Sequence, residues 1–369
     1  MRAHRLLDPL LKLELSLKRR RGTANGVLLI SAGGLGDTVL LAVVLPRFLA
    51  LAQPDEPVTV LLRSDAARMG FVMPPGVKIK AVDFTRLRDI GYRRRIFGEL
   101  HAAHYRLVIH TDYLRHPDLD EALVEACAAR EAVAMEPRPS DKHGERLAAN
   151  RCLYSRLYAS GPPKTDKVVR WSAFADFLTG KHSDPPVVHL GQFESRELLP
   201  AATVLFQPFS AVKAKQSPPE VWKLIAARLP HGWQVRLAGH PSDLEKNPEF
   251  KALLDLPNVS FEGAPFDRLA ALIRGCRMVI SVDTACMHLA VALGTPTLCL
   301  ASAAYVGEIV PYAAQVTPAN MHVLYTPVEC QGCLGNCYFP LEDGMYPCVA
   351  ALDPDAVLGA VDDIIARGC

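Results

Sequence analysis

Two short segments carry residue types able to do chemistry. They are Gly33-Gly34-Leu35-Gly36-Asp37 near the start of the chain and Asp283-Thr284-Ala285-Cys286-Met287-His288-Leu289-Ala290 far downstream. Each follows an apolar, strand-like run and opens a helix, the first from about Thr38 and the second continuing through Leu293. Glycines let a backbone turn sharply against a ligand, and a helix start presents free N–H groups. The glycine spacing is not Gly-x-Gly-x-x-Gly, and Asp37 would repel a pyrophosphate, so a nicotinamide site is not expected. Asp37 is instead a candidate general base for an acceptor hydroxyl, although the same residue type also caps helices.

The second turn suits an anion. Thr284 and Ala285 offer backbone N–H groups at a helix start and Thr284 adds a hydroxyl, a set that fits a diphosphate. Asp283 would be repelled by phosphate and is assigned to sugar hydroxyls. His288, one turn further on, is a candidate ligand contact that a packed histidine would also explain. A third segment runs from Gln207 through Ser210, Lys213 and Lys215 to Trp222, with a helix opening near Pro218 or Pro219. Lys215 is read as a mobile point charge that neutralises phosphate, against the plainer reading of a solvated surface lysine. Ser210 on the same loop joins the donor-binding candidates.

These motifs need elements to hold them. Strands are expected at Val27–Ile30, Val58–Leu62, Val77–Val82, Leu107–His110 and Ala132–Ala134. After Pro185, Pro186 and Pro200 the pattern restarts, with strands at Thr203–Phe206, Gln234–Leu237, Val259–Phe261, Met278–Val282 and Thr297–Leu300. Alternation with helical stretches predicts parallel α/β sheets in two domains, residues 26–190 and 200–369, and a closing helix from Pro354 to Ile365 capped by Asp353. Ligands of such sheets bind beyond the strand carboxyl ends, so two motif-bearing turns suggest a two-substrate enzyme. Asp118-Leu119-Asp120 superficially resembles a metal-sugar motif but falls at a polar helix start in the other half of the chain.

With 41 basic and 39 acidic residues, the chain has no general field for nucleic acid. No apolar run is long enough to span a membrane and no signal peptide is evident, which predicts a cytoplasmic protein. Residues 1–25 form a basic amphipathic segment, with Leu6, Leu10, Leu13 and Leu17 at helical spacing among Arg2, Arg5, Lys12 and Lys18 to Arg21. Peripheral contact with an anionic membrane surface is one expectation, which the resemblance given below would place at the inner membrane, and packing of the leucine stripe on the domain is the other. Ten cysteines include Cys330, Cys333, Cys337 and Cys348, whose spacing predicts a structural zinc or iron, with free thiols or disulfides formed after purification as the alternative. Cys127, Cys152, Cys276, Cys286 and Cys299 read as small core residues.

Taken in order, these segments resemble glycosyltransferase family nine, the bacterial ADP-heptose transferases. The resemblance rests on Gly34-Leu35-Gly36-Asp37-Thr38-Val39, on Lys215 seven residues before Trp222, and on Asp283 to Ala290 continuing to Ala292-Leu293-Gly294-Thr295-Pro296. It implies a GT-B fold, two Rossmann-like domains with parallel sheets facing a central cleft, acceptor in the first and nucleotide sugar in the second. It also implies one displacement that inverts the anomeric centre, with no cofactor required for transfer. Asp37 would take the acceptor proton on a loop with Gly34 and Gly36. Lys215 and Thr284 to His288 would hold the diphosphate, Asp283 the heptose, and Asp243 in Gly239-His240-Pro241-Ser242-Asp243 a ribose hydroxyl. Ala285 stands where the family has glycine, Ser217 where an aromatic residue is common, and Lys213 is near enough to share the phosphate role. Some members also carry a cysteine-rich segment here, including relatives that modify autotransporter proteins.

The expected reaction moves heptose from ADP-heptose to a hydroxyl acceptor, the lipopolysaccharide inner core before a protein serine. A GT-B nucleotide-sugar epimerase, which would turn over donor alone, and a non-catalytic nucleotide-sugar-binding protein are the rivals. Asp37 argues against the last.

Overall fold

The computed structural model describes residues 3–20, 22–193 and 195–368, with side chains from residue 7 onward. Arg2, Arg21 and Cys369 lie outside the described residues, as do the side chains of Arg5 and Leu6. The chain divides into two compact units. One comprises residues up to Pro163 with Arg170–Asp184, and the other comprises Lys164–Val169 with the chain from Pro185 onward.

The first unit holds β1 (Val27–Ser31), β2 (Val58–Arg63), β3 (Lys78–Val82), β4 (Leu107–His110), β5 (Glu131–Met135) and β6 (Arg156–Tyr158), ordered β3-β2-β1-β4-β5-β6 and parallel throughout. The second holds β7 (Thr203–Gln207), β8 (Gln234–Ala238), β9 (Val259–Glu262), β10 (Met278–Val282), β11 (Thr297–Leu300) and β12 (Met321–Leu324), ordered β12-β11-β10-β7-β8-β9, again parallel. Among the described residues the α-helices are α1 (Ala3–Leu17), α2 (Leu35–Leu49), α3 (Ile90–Ala103), α4 (Asp120–Cys127), α5 (Gly144–Ala149), α6 (Lys167–Thr179), α7 (Pro219–Arg228), α8 (Pro241–Lys246), α9 (Phe266–Gly275), α10 (Ala285–Ala292), α11 (Pro347–Ala350) and α12 (Pro354–Ala366).

The central strands are buried on both faces, as strands covered by helices must be, and every residue of β1 and β10 is buried. In the second unit Trp222 of α7 is fully buried against Phe206 of β7, ring centroids 5.3 Å apart, and α12 adds Val357, Val361 and Ile364 to the same core. Each strand order reverses once, between β1 and β4 and between β7 and β10. Ligands of open α/β sheets bind at such reversals, outside the strand carboxyl ends. The glycine loop follows β1; the Ser210–Lys215 loop follows β7; Asp283 follows β10.

Glu56 shows how the first sheet is tied at its opposite end. Its carboxylate accepts from Gly26 N (2.9 Å) and Gln53 N (2.8 Å) and pairs bidentately with Arg106 at 2.8 and 2.6 Å. The Arg106 guanidinium, with help from the two amides, holds the Glu56 carboxyl at about 2 against an ordinary 4.5, despite the opposing effect of burial. Because the folded pKa is depressed, this contribution is present above the ordinary value and fades as pH falls towards about 2. Glu56→Gln should therefore lose roughly 2 to 3 kcal/mol near pH 7, and its deficit against wild type should narrow below about pH 4.5 in urea titrations at several pH values.

Two expectations about side chains are corrected. The packed leucines of α1 are Leu11 and Leu15, which join Tyr92, Ile96 and Leu100, whereas Leu10, Leu13 and Leu17 face solvent. Its charges are paired rather than simply solvated: Asp8 with Arg93, Lys12 with Glu125, and Glu14 with both Lys18 and Arg94. Cys152 is exposed, because it sits on a surface 3-10 turn and not in the core. Cys127, Cys276, Cys286 and Cys299 are buried. Among the described residues no helix is long and apolar enough to cross a membrane.

Candidate active site

In the first unit, Gly34 is the N-cap of α2, which begins three residues before the expected Thr38. Asp37 occupies the third helical position, and its Oδ2 accepts from Gly34 N at 2.8 Å. A Cβ on Gly33 would stand 2.6 Å from Asp37 Cβ and Oδ2, so only glycine lets the carboxylate fold back over the loop. Thr38 Oγ1 donates to Gly34 O, fixing the same turn from the other side. Asp37, Gly34 and Gly36 are all partly exposed. Capping and access to a ligand thus coincide in one carboxylate.

The sequence did not reveal what lies across the strand reversal. Asp112, just beyond β4, accepts from Ala32 N at 2.5 Å through Oδ2 and so ties down the glycine loop. Its own amide donates to Nδ1 of the fully buried His110 at 3.2 Å, and Nε2 of that ring lies 3.3 Å from Asp120 Oδ2. Asp120 also accepts from His116 N at 2.7 Å, and Asp118 pairs with Arg146. Beside them Arg115 and Glu121 form an ion pair at 3.1 Å, with Asn150 and Tyr154 donating to Glu121. Burial raises the Glu121 carboxyl above its ordinary range, opposed mainly by Arg115. Asp118-Leu119-Asp120 is therefore part of a buried polar network, and the clue was available in His110-Thr111-Asp112 closing an apolar strand.

In the second unit, Thr284 caps α10 in an extended conformation without using its side chain on the helix. The first amides of α10 have no intrahelical partner. Thr284 Oγ1 donates to Gln207 Oε1 at 2.9 Å, which joins the ends of β7 and β10, and Thr284 and Ala285 are partly exposed. Gln207, which the sequence reading placed at the start of the loop without a role of its own, closes β7 and becomes a further candidate site residue. Lys215 is neither a surface lysine nor a mobile one. Its Nζ lies 2.6 Å from Asp283 Oδ1, donates to Asp283 O at 2.8 Å and sits 4.5 Å from the centre of the Tyr305 ring. Ser302 Oγ donates to the other Asp283 oxygen at 3.2 Å. Burial pushes the Asp283 carboxyl above its ordinary range, opposed first by the Lys215 charge.

Lys213 points elsewhere, pairing with Glu249 at 3.1 Å on the surface. Ser210 organises the loop: its hydroxyl accepts from Val212 N and its carbonyl from Gln216 Nε2. His288 is buried, stacked on Tyr312 with Nδ1 2.6 Å from the phenol oxygen. Asp243 repeats the Asp37 device, its Oδ2 accepting from His240 N at 2.8 Å at the start of α8.

The cysteine-rich loop adjoins this site. Gly332 N and Leu334 N donate to Ala303 O and Ala304 O beside Tyr305, and Tyr346 N donates to Ala214 O in the Lys213–Lys215 turn. Cys330 Sγ and Cys337 Sγ are 3.6 Å apart. Two thiolates sharing one tetrahedral ion at Zn–S near 2.3 Å would be about 3.8 Å apart, so this pair fits. Among the described residues, however, no three His, Cys, Asp or Glu side chains converge as a ready metal set. Burial, then the neighbouring Cys337 and Cys333 thiols, push Cys330 up to about 12.

Residues 131–335, more than half of the chain, match the profile of glycosyltransferase family 9, the heptosyltransferases. The chain belongs to that family. As a family 9 member it is a glycosyltransferase enzyme, and the match covers Lys215 and the Asp283–Ala290 segment but not the glycine loop of Asp37. No curated protein matches the chain significantly. Among solved structures it is similar to the Escherichia coli ADP-heptose lipopolysaccharide heptosyltransferase II, at 16% identity and TM-score 0.67 over 93% of this chain and 99% of that one. The E. coli heptosyltransferase WaaC, solved with ADP-2-deoxy-2-fluoro heptose, gives 16% and 0.62 over 91% and 99%. The iron-containing dodecameric glycosyltransferase TibC of enterotoxigenic E. coli gives 14% and 0.55 over 95% and 78%. At these identities the likeness establishes the fold, and the two parallel-sheet units of this family 9 chain are those of the GT-B class.

Proposed function

We propose that this glycosyltransferase moves a heptose from ADP-heptose to a hydroxyl of the lipopolysaccharide inner core, with inversion at the anomeric carbon. The observation that carries this reading is the buried Lys215–Asp283 pair beside the uncapped start of α10, at the strand reversal of the second sheet. A diphosphate there meets unpaired amides and a preorganised ammonium, both able to stabilise the charge that develops as ADP departs. The Asp283 carboxylate, held by Lys215 and Ser302, is the acceptor for sugar hydroxyls. In the displacement the acceptor oxygen bonds to the anomeric carbon, the bond to the β-phosphate breaks with its electron pair leaving on ADP, and Asp37 takes the acceptor proton. WaaC was solved with an ADP-heptose analogue, which supports an ADP-heptose donor here.

A thermal-shift panel of nucleotide sugars, followed by ADP release with heptose-deficient inner core, tests the proposal. Stabilisation by ADP-heptose above ADP-glucose and UDP sugars, with ADP released only when acceptor is present, is expected. Turnover of donor alone would point to the epimerase instead. Protein serine is the second reading for the acceptor, favoured by the cysteine-rich loop, a feature that the resemblance drawn from the sequence associates with relatives that modify proteins.

We assign that loop a structural zinc or iron held by Cys330, Cys333, Cys337 and Cys348, supported by the Cys330–Cys337 spacing and by the similarity to iron-containing TibC. When bound, the ion would cross-link the loop; no step of transfer passes through it. Elemental analysis should find about one ion per wild-type chain and a deficit of at least about tenfold in Cys330→Ser/Cys337→Ser. Metal-free wild-type protein with full thermal stability would refute the assignment.

A further inference from the structure

Helix α1 has two apolar faces, and the fold uses only one. Leu11 and Leu15 enter the core of the first unit, while Leu10, Leu13 and Leu17, spaced three and four residues apart, stand on the opposite side at 61%, 58% and 79% exposure. An isolated exposed leucine needs no explanation, but three on one helix stripe do. Cations flank the stripe: Lys12 on the side of α4, and Lys18 with Arg94 of α3 on the other, each about half exposed or more although ion-paired. Arg19 extends the row at the helix end. Residues 7–20 and 86–103, which form this side of the unit, carry nine Lys and Arg against four Asp and Glu. The ion pairs of α1 with Arg93, Arg94 and Glu125 fix its roll angle, so the stripe is presented outward by design of the packing rather than by rotation of a loose helix.

We propose that this face of α1 docks in the plane of an anionic lipid surface, with Leu10, Leu13 and Leu17 entering the headgroup boundary and Lys12, Lys18, Arg19 and Arg94 facing the phosphates. Apolar insertion and attraction to anionic lipid are the two contributions that hold an interfacial helix, and both are present here on one side of one unit. A second copy of the chain fits less well, because a two-fold contact would set the same cationic flanks against each other. The proposal does not depend on which acceptor the enzyme uses.

Co-sedimentation of the full-length protein with vesicles of phosphatidylcholine alone, or with roughly 30% phosphatidylglycerol, tests it. Binding to the anionic vesicles should exceed binding to the neutral ones by at least about tenfold and should weaken when salt is raised from about 0.1 to 0.5 M. Leu10→Ser/Leu13→Ser/Leu17→Ser should abolish it, with melting temperature and ADP binding unchanged because these side chains support neither core nor site. Wild-type protein that stays in the supernatant, or a triple variant that sediments like wild type, would overturn the proposal. So would a dimer in light scattering that the triple variant dissolves, since the stripe would then belong to a second copy.

Discussion

Lys215→Met should give a folded but less stable enzyme whose donor affinity and turnover are both severely reduced. Removing the ammonium leaves Asp283 buried without its counter-charge, a change that typically destabilises by about 3 to 5 kcal/mol, and the carboxyl will take up a proton to relieve it. Loss of a preorganised charge at the departing diphosphate should slow turnover by a further 10²- to 10³-fold, about 2.7 to 4 kcal/mol. The two effects separate in Lys215→Met/Asp283→Asn. Neutralising the stranded carboxylate should recover much of the stability in urea titration and none of the ADP affinity in calorimetry. If Lys215→Met keeps wild-type kinetics, the phosphate role passes to Lys213, which can leave its surface pair with Glu249 at little expense.

Asp37→Asn should abolish transfer while leaving the fold nearly untouched. The amide oxygen of Asn can still accept from Gly34 N, so the cap on α2 persists and stability should change by well under 1 kcal/mol. What the variant lacks is a group that can take a proton, and the rate should fall by roughly 10²- to 10⁴-fold. Asp37→Ala loses both, with about 1 kcal/mol of added destabilisation from the uncapped amide. ADP binding should stay within a few fold in either variant, because Asp37 belongs to the first unit and the diphosphate residues to the second. An active Asp37→Asn enzyme would reduce Asp37 to a helix cap and direct attention to Asp112, the carboxylate beyond β4 that is bonded to Ala32 N ahead of the glycine loop.

Ten of the strands were legible: the eight central ones as largely apolar runs bounded by breakers, and the edge strands β3 and β9 because polar and apolar residues alternate in them. Arg156–Tyr158 and Met321–Leu324, at the other two edges, span only three and four residues, and Arg156 and His322 interrupt their apolar character. The segments proposed to hold the donor stood out in the sequence as residue types and spacings, but their relations in space did not. Nothing local to Lys215 shows that its ammonium turns inward to Asp283, because the partner arrives from another strand. His110 and Asp112 were passed over for the same reason: they matter once β4 lies next to β1, and strand order is a property of tertiary packing. In α1 the periodicity was correctly seen but assigned to one face, when Leu11 and Leu15 define a second. The cysteine spacing was plain in the sequence; how far the four thiols converge depends on the loop's packing against Ala303 and Ala304.

The bond from Tyr346 N to Ala214 O bears on where this enzyme can be cut. The family profile stops at residue 335, yet the tail beyond it braces the very turn that aims Lys215 and contributes Val357, Val361 and Ile364 to the second core. A truncation at the profile boundary would retain every donor-motif residue proposed above and still unseat the lysine, so the smallest working piece of the second unit extends to α12.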